Sequence, residues 1–416
     1  MIIHNFKQLG TTKTRRDALA IVNAGIEAVL PKPSMHKQIV ISGNVLSIQG
    51  HHWNLSKYKR IFVVGAGKAA ADMAEGLEEI LGKRISEGVV IDTRARKLSK
   101  IKVVKGTHPL TSAINVQTSE KIIEILKKSK KEDIIFCLIS GGGSALMDSP
   151  RIPLKKQIAL NKKLLESGAT IQEMNTIRKH ISNVKGGQLA THAGQATVIS
   201  LIMSDVITNE LSVIASGPTV PDSTTISDAN RIQRKYNLPD LPFIETPKKE
   251  FPNVTNVLLI TNVPAAKAMQ TKAKMLGYKT NILSTQLKGE AKLVGKKLAL
   301  LAKGKTAIIA AGETTVKLKG KGKGGRNQEV ALAASMFLKE GAVISCSSDG
   351  VDFITEAGGG IVDENSKREA KKLGLNQNNF LKDNDSYNFL RRVNGIIVTR
   401  KTGTNVGDLF LVLGKK

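Results

Sequence analysis

Short apolar runs alternate with segments of helical spacing along most of this chain. In the first half, strands are predicted at residues 61–64, 89–92, 102–104, 133–140 and 197–203, with helical patterns at 68–81, 112–126 and 155–190. Strand–helix alternation of this kind is typical of a parallel sheet with helices on both faces. The sequence therefore predicts an α/β fold.

The alternation restarts after a proline-rich stretch at residues 237–252, which is predicted to link two domains. Strands are predicted at 257–260, 280–283, 307–310 and 342–346, helices at 264–276, 290–302 and after Asn327, and a closing antiparallel pair at 396–399 and 409–412. A chain of 416 residues is long enough for two cores. We expect α/β domains at 1–238 and 253–416, with ligands at the C-terminal ends of their strands.

The charge balance is strongly basic, with 63 Lys and Arg against 35 Asp and Glu, a formal net charge of +28. Such a field attracts anions, and nucleic acid is the first partner to consider. However, the basic residues are dispersed, and aromatic residues, at 4%, offer little for base stacking. We expect a solvated basic surface that suits anionic metabolites, and no nucleic-acid partner.

Cys137 and Cys346 each lie inside an apolar, strand-like run. Two isolated thiols of this kind indicate core residues in a reducing compartment. No apolar run approaches the roughly 18–20 residues of a membrane helix, and the N-terminal residues lack the profile of a secretion signal. We expect a cytoplasmic globular protein without a membrane partner.

A run of three glycines follows the apolar strand at 133–140 and consists of Gly141, Gly142 and Gly143, followed by Ser144. Such a loop lets successive backbone N–H groups converge, and a helix starting near Ser144 would add its positive end. A tight turn that packs strand against helix is the simpler alternative. Three glycines and a serine at a strand end favour a site for phosphate or carboxylate.

The first strand leads into the residues Gly65-Ala66-Gly67-Lys68-Ala69-Ala70, with Asp92 near the end of the next strand. This is a degenerate dinucleotide fingerprint. Lys68, however, places a cation at the loop, which suits neutralisation of a transferring phosphoryl group. The alternative interpretation, that Lys68 is a surface lysine at the start of a helix, remains open. No Walker A sequence occurs, which excludes a P-loop kinase.

In the second half, a predicted strand leads into four residues that could border a nucleotide: Gly312, Glu313, Thr314 and Thr315. A basic glycine run at 319–325 follows and ends in Gly324, Gly325, Arg326 and Asn327 at the start of a helix. Glycines beside an arginine and a helix N-terminus suit a clamp for nucleotide phosphates. A flexible hairpin tip is the alternative reading.

Phosphoryl transfer also needs Mg²⁺ held by carboxylates, and Asp205 and Asp349 both follow predicted strands. Asp352 lies close behind, and each of the three could instead be a turn or helix-cap aspartate. Arg178 shares a helix face with Ser182 and could bind a carboxylate or be solvated. His108 is also a candidate to contact substrate, with a turn histidine as the default.

The order of these motifs resembles that of the class II glycerate kinases, the glycerate 2-kinases with a C-terminal MOFRL domain. The motifs are Gly65–Ala70, Leu138–Leu146, the 175–190 segment, Ser204–Val206, Ala215–Thr219, Ala311–Thr315, Gly324–Glu329, Ser348–Gly350 and Gly403–Leu409. The resemblance implies ATP-dependent phosphorylation of D-glycerate to 2-phosphoglycerate with a divalent cation, usually Mg²⁺. It also implies a Rossmann-like N-terminal domain and a smaller α/β C-terminal domain, with the active site between them.

The resemblance places the family's proposed catalytic lysine and arginine on Lys68 and Arg326. Our own assignments put glycerate near Gly141–Ser144 and Arg178, and the nucleotide near Gly312–Thr315 and Gly324–Asn327. Asp205 and Asp349 are candidates for metal ligand, and Asp205 also for catalytic base.

The sequence departs from the family pattern at residues 110–112, 207–210 and 351–356, where acidic residues or glycine are more usual. These departures concern the metal ligands more than the reaction. The competing function is an NAD(P)H-dependent hydroxypyruvate reductase, which the Gly65–Ala70 motif supports. The expected partners are small molecules, and both a monomer and a homodimer remain open.

Overall fold

The computed structural model describes residues 1–354 and 356–415. Thr355, in the divergent 351–356 segment, and Lys416 lie outside the described residues. The chain folds as two compact units. The central unit comprises Pro31–Leu259, and the terminal unit comprises Met1–Leu30 together with the chain from Ile260 onwards.

The helices are distributed over both units. In chain order they are α1 (Phe6–Leu9), α2 (Lys13–Glu27), α3 (Pro31–Gln38), α4 (Ala70–Leu81), α5 (Ala113–Lys128), α6 (Gly143–Leu146), α7 (Leu154–Glu166), α8 (Ile171–His180), α9 (Gln188–Thr191), α10 (Ile226–Lys235), α11 (Asn262–Met275), α12 (Ala291–Ala299), α13 (Arg326–Phe337), α14 (Glu364–Lys372), α15 (Gln377–Lys382) and α16 (Ser386–Arg392). No helix of the described residues is both long and apolar enough to cross a membrane.

The central unit is built on a six-stranded sheet preceded by a small antiparallel one. The small sheet contains β1 (Ile39–Ser42), β2 (Val45–Ile48) and β3 (His51–Asn54), and the large sheet contains β4 (Arg60–Ala66), β5 (Ile85–Asp92), β6 (Ile101–Lys105), β7 (Asp133–Ile139), β8 (Thr197–Met203) and β9 (Val254–Ile260). The large sheet has the order β6-β5-β4-β7-β8-β9. The pairs from β6 to β8 are parallel, so the turns after β4, β7 and β8 lie at one edge of the sheet.

Strand β7 is one of the two central strands of this sheet. All seven of its residues are buried, as expected for a parallel strand covered on both faces. Its side chains Ile135, Cys137 and Ile139 pack into a core with residues of the neighbouring strands and of α5. This rigid centre positions the glycine loop that follows it.

The terminal unit has a mixed six-stranded sheet. Its strands are β10 (Lys279–Glu290), β11 (Thr306–Thr315), β12 (Ala342–Ser347), β13 (Gly359–Asp363), β14 (Ile396–Ile397) and β15 (Asp408–Leu413). The order is β10-β11-β15-β12-β13-β14, with β10 and β11 parallel and the other pairs antiparallel. The predicted pairing of 396–399 with 409–412 is therefore wrong, because β15 lies between β11 and β12 and β14 pairs with β13.

Residues 1–30 pack with the terminal unit rather than with the chain that follows them. Arg15 Nε lies 2.9 Å from Asp363 Oδ2 in a buried ion pair, and the Tyr278 hydroxyl donates to Asp17 Oδ2 at 2.8 Å. These contacts join segments more than 200 residues apart, which local sequence patterns cannot reveal. The proline-rich stretch also lies within one unit, because β9 beyond it completes the sheet of the central unit.

Candidate active site

The turn after β4 is packed tightly against the turn after β7. A β-carbon placed on Gly65 would lie 2.1 Å from Leu138 O, and one on Gly67 would lie 2.0 Å from Ser140 Oγ. The Lys68 N–H donates to Gly141 O at 2.9 Å, which joins the two turns directly. The glycines of the predicted dinucleotide fingerprint are therefore needed for close packing between two strands of the protein.

The start of α4 carries its own carboxylate. The Ala71 N–H donates to Asp92 Oδ2 at 2.9 Å, and the Arg94 N–H donates to Asp92 Oδ1 at 3.0 Å. Asp92 is fully buried. In a dinucleotide fold the helix N-terminus would face the pyrophosphate and this acid would bind ribose. Here the two groups satisfy each other, which removes the main support for a nicotinamide site.

Lys68 emerges from this fixed turn with its side chain half-exposed. Its carbonyl oxygen accepts from Arg94 Nη2 at 3.2 Å, so the backbone is held on both sides. Among residues 1–354 and 356–415, the Lys68 ammonium makes neither a hydrogen bond nor an ion pair. A cation fixed at its base and unneutralised at its tip is suited to binding an anion.

His108 lies beside Lys68 at the glycine loop. A β-carbon on Gly142 would lie 3.1 Å from both Lys68 Cγ and His108 Cδ2. Burial, assisted by the Lys68 charge, lowers the pKa of His108 to about 4. The imidazole is therefore neutral at pH 7. The default interpretation of His108 from the sequence was a turn histidine, and its place before a proline at a strand end was the one sign that it could contact substrate.

Asp205 lies on the other side of the same loop. A β-carbon on Gly141 would lie 2.0 Å from Asp205 Oδ2, so this carboxylate packs against the glycine backbone. The structure thus brings together Lys68, His108 and Asp205 around Gly141 and Gly142. Lys68, His108 and Asp205 follow β4, β6 and β8, and the glycine loop follows β7, so all of them lie at the edge where these parallel strands end.

Ser144 is held by a strained turn in the Ala215–Thr219 motif, to which the sequence analysis assigned no role. Its hydroxyl lies 2.6 Å from Ser216 Oγ. Ala215, Ser216 and Gly217 have φ values of 51°, 63° and 61°, a left-handed run that is costly for the two residues with side chains. Strain of this kind persists only where the surrounding structure fixes it, and here the turn holds the serine of the glycine loop.

Arg178 belongs to a polar cluster that also contains Asp148 and Lys185. Its Nε donates to Asn161 Oδ1 at 2.8 Å, and burial lowers its pKa, with opposition from Asp148. Asp148 follows α6 closely in sequence and forms an ion pair with the fully buried Lys185 at 2.5 Å. The cluster therefore has two cations and one carboxylate. Arg178 does not hydrogen-bond to the loop 141–144 within the described part of the chain.

In the terminal unit, Arg326 is clamped by two carboxylates. Its Nε donates to Asp408 Oδ2 at 2.7 Å and its Nη2 to Asp408 Oδ1 at 3.0 Å, while its Nη1 donates to Glu313. Burial lowers the pKa of Arg326, but the Asp408 and Glu313 carboxylates outweigh it and raise the pKa overall. Burial raises the pKa of Asp408 to about 7, against the lowering effect of Arg326.

Asn327 and Asp352 complete this network. Asp352 accepts the backbone N–H groups of Asn327 and Gln328 at 3.1 and 2.9 Å, so it caps the first turn of α13. The Asn327 side chain is buried, donates to Asp352 and Asp408, and accepts from the Ser345 hydroxyl. Contrary to its predicted role at the nucleotide, Asn327 has every side-chain polar group engaged within the unit.

The glycine run before Arg326 is an extended strap, which we define as residues 319–325. Its backbone N–H groups are bound by one short segment: Asn384 Oδ1 accepts from Lys319 and Gly320, Asp383 from Lys321 and Gly322, and Asp385 Oδ1 from Lys323. β-carbons on Gly320 and Gly322 would clash with this segment, so these glycines allow the strap to lie flat against it. The strap is therefore held in place, and its three lysines are exposed in alternating positions.

The other predicted nucleotide residues lie on β11 and at the strap end. Gly312 packs against β10, where a β-carbon would lie 2.1 Å from Leu287 O, and Thr314 is buried while Thr315 is exposed. Gly324 packs on Ser386, where a β-carbon would lie 2.0 Å from its Oγ, and Gly325 packs on Asp352. Of these residues, the structure brings only Glu313 into hydrogen-bonding contact with Arg326.

The two predicted metal ligands differ in what surrounds them. Asp349 Oδ1 accepts from the Ser347 hydroxyl at 2.8 Å and the Val351 N–H at 2.9 Å, the pattern of a turn aspartate. Asp205 is a half-exposed carboxylate beside the glycine loop. Mg²⁺ in phosphoryl-transfer sites takes one or two carboxylates together with substrate phosphates. Asp205 suits that donor chemistry by its position, because it lies beside the loop where a substrate phosphate or carboxylate is predicted to bind. No group of three or more acidic, histidine or cysteine side chains suited to a metal is found among the described residues.

Two family models match the chain, one described as a domain of unknown function (DUF4147) at residues 17–243 and one as the MOFRL family at residues 306–408. The chain is 36% identical to the glycerate 2-kinase of Pyrococcus horikoshii, with 96% of this chain and 97% of that protein covered. This chain belongs to the glycerate 2-kinase family. The crystal structure of the Thermotoga maritima glycerate kinase matches with a TM-score of 0.87 and 34% identity, covering 96% of this chain and 99% of that one. The chain is also 35% identical to a protein from Agrobacterium vitis named putative hydroxypyruvate reductase, with 85% of this chain and 87% of that protein covered.

Proposed function

We propose that this chain is a glycerate 2-kinase, which transfers the γ-phosphoryl group of ATP to the 2-hydroxyl of D-glycerate. The observation that carries the proposal is the match to a glycerate 2-kinase along 96% of the chain. The two clusters of charged groups described above, around Lys68 and around Arg326, supply the chemistry that such a reaction needs.

The central unit offers groups for the acceptor. The glycine loop 141–144 and Arg178 are the proposed site for glycerate, because backbone N–H groups and a guanidinium both suit a carboxylate. At the same loop, Lys68 provides an ammonium that has no partner among residues 1–354 and 356–415. The acceptor hydroxyl attacks the γ-phosphorus, ADP leaves, and the hydroxyl proton passes to a base, for which Asp205 is the nearest carboxylate to the loop.

The terminal unit offers groups for the donor. Arg326 presents a guanidinium whose direction is fixed by Asp408, and the strap brings three exposed lysines next to it in sequence. Positive charge at the transferring phosphoryl group is the main contribution that proteins make to this reaction. We infer that ATP binds along Gly312–Thr315 and the strap, with Lys68 and Arg326 neutralising charge in the transition state.

A divalent cation, which we propose to be Mg²⁺, would neutralise phosphate charge when bound. Asp205 would hold it, and Asp349 is the alternative ligand. Because Asp205 is also the proposed base, an experiment must distinguish its role as metal ligand from its role as base. If Asp205→Asn raises the Mg²⁺ concentration needed for ATP binding, the side chain is a metal ligand. If it instead removes the acidic limb of the pH–rate profile, the side chain is the base.

The reductase remains the competing function, and the contacts of Asp92 with Ala71 and Arg94 count against it. One pair of assays separates the two functions. The kinase predicts ADP release from ATP that depends on D-glycerate, whereas the reductase predicts consumption of NADH with hydroxypyruvate. NADH turnover without ADP release would overturn the proposal. A cytoplasmic location and a monomeric or homodimeric state remain predictions.

A further inference from the structure

Arg326 has two carboxylate partners with very different surroundings. Asp408 is fully buried, starts β15, and lies in register with Gly312 of β11 and Ser347 of β12. It accepts two hydrogen bonds from Arg326 and a third from Asn327 Nδ2 at 2.9 Å. A carboxylate fixed by the centre of a sheet and by three donors cannot move without disrupting the fold.

Glu313 is held far less firmly. Its side chain is 40% exposed, compared with 0% for Asp408. Among residues 1–354 and 356–415, Arg326 is its only hydrogen-bonding partner. A half-exposed ion pair contributes less free energy than a buried one, and Glu313 can exchange for another anion at Arg326.

The charges around Arg326 do not favour an incoming phosphate while both carboxylates are in place. One guanidinium faces Asp408 and Glu313, and the buried Asp352 carboxylate acts on it as well. Like charges a few ångströms apart repel, so an anionic phosphoryl group and Glu313 compete for the same cation. Three of the five guanidinium N–H groups are occupied, two of them by the buried Asp408 and one by the half-exposed Glu313.

We propose that Asp408 is a positioning residue that keeps Arg326 oriented, and that Glu313 occupies the phosphoryl-binding side of Arg326 until the nucleotide displaces it. The inference rests on the proposed function, since it assumes that Arg326 binds the transferring group. Glu313 is then a brake on nucleotide affinity rather than a nucleotide ligand. Its displacement links arrival of the nucleotide to release of the arginine.

The test measures ATP binding by calorimetry and steady-state turnover for five variants, one of which combines two substitutions. Glu313→Gln should tighten ATP binding about 3- to 10-fold, because it removes a half-exposed competitor of the phosphate. The matched control Glu250→Gln removes the same charge from an exposed residue elsewhere and should leave ATP affinity unchanged. In an Arg326→Gln background, Glu313→Gln should lose most of its effect, because the competition acts through the arginine.

Equal tightening with and without Arg326 would mean a general electrostatic effect and would overturn the proposal, as would no tightening at all. Asp408→Asn should lower kcat about 100-fold, with a much smaller change in ATP affinity than in kcat. A merely structural role would instead lower the amount of folded enzyme at unchanged kcat per folded molecule. If Asp408→Asn does not fold, the comparison of Glu313→Gln with and without Arg326→Gln still tests the proposal. If the wild-type chain does not bind ATP, the proposed function itself fails.

Discussion

Lys68 and His108 lie against the same glycine, each with a side-chain carbon 3.1 Å from where a β-carbon of Gly142 would be. Because burial and the Lys68 charge lower the pKa of His108 to about 4, the histidine is neutral at pH 7 and the lysine is the cation of the pair. The loop therefore presents one positive charge and one neutral imidazole to whatever binds there.

Replacing Lys68 by methionine tests whether that charge acts on the reaction. Lys68→Met should lower kcat by roughly 10²–10⁴, since it removes one cation from the transferring phosphoryl group while keeping side-chain volume. The exposed Lys83 offers a matched control, and Lys83→Met should leave kcat unchanged. Steady-state kinetics with D-glycerate and ATP measure both. Near-normal turnover of Lys68→Met would show that the assigned role is wrong.

The space around Gly142 gives a second prediction. Gly142→Ala should lower kcat/KM at least about 100-fold, because its φ of +80° is unfavourable for alanine and the new methyl group would press on Lys68 and His108. Gly43→Ala is the control, with a φ of +59° and nothing within 4 Å. Both variants should lose about 1 kcal/mol of unfolding free energy from the backbone alone. Equal activity in the two variants would contradict the account of the loop.

These contacts mark where sequence reasoning succeeded and where it stopped. The glycine turns after β4 and β7 were predicted because an apolar strand, glycines and a helical pattern follow one another locally. The position of β15 in the sheet was not predicted, because alternation and β-branched residues indicate that a segment is a strand but do not indicate which strands lie next to it. Likewise, the packing of Arg15 on Asp363 depends on residues 348 apart in sequence.

The candidate site shows the same division. Lys68 and Arg326 were identified from their motifs, and their roles stay predictions. A helix cap was one of the alternatives predicted for Asp352, but the task of Asp408 was not predicted, because an aspartate after a turn looks alike whether it caps a helix or orients an arginine. Only the three-dimensional partners distinguish the two. Burial could not be assigned either, since neither residue lies in a long apolar run.

The strap lysines lead to a prediction about ionic strength. Replacing Lys319, Lys321 and Lys323 together by glutamine should lower kcat/KM for ATP and flatten its dependence on salt, because exposed charges beside the site attract anionic substrates over a Debye length. Unchanged kcat is expected. As a control, glutamine at Lys371, Lys372 and Lys382, also exposed in the terminal unit, should preserve the salt dependence. Parallel salt curves for both triple variants would contradict a local effect of the strap.

The cap at the start of α8, the helix that carries Arg178, should contribute less to the free energy of unfolding in acid. Lys235 and the cap at Thr170, among others, lower the pKa of Glu173 to about 2, below its ordinary value of 4.5. A carboxyl with a lowered pKa stabilises the fold above its unfolded pKa, and this contribution is lost as the pH falls from about 4.5 to 2. Glu173→Gln should therefore flatten the pH dependence of unfolding over that range, measured by denaturant titration. An unchanged slope would show that the cap is not linked to folding.

The most direct test of the central claim is incubation of the wild-type chain with ATP, Mg²⁺ and D-glycerate, followed by phosphorus NMR of the products. The account predicts a 2-phosphoglycerate resonance that grows with ADP and that Lys68→Met and Arg326→Gln both suppress. A 3-phosphoglycerate resonance would keep the kinase but contradict the assigned hydroxyl. No phosphoester at all would contradict the account itself.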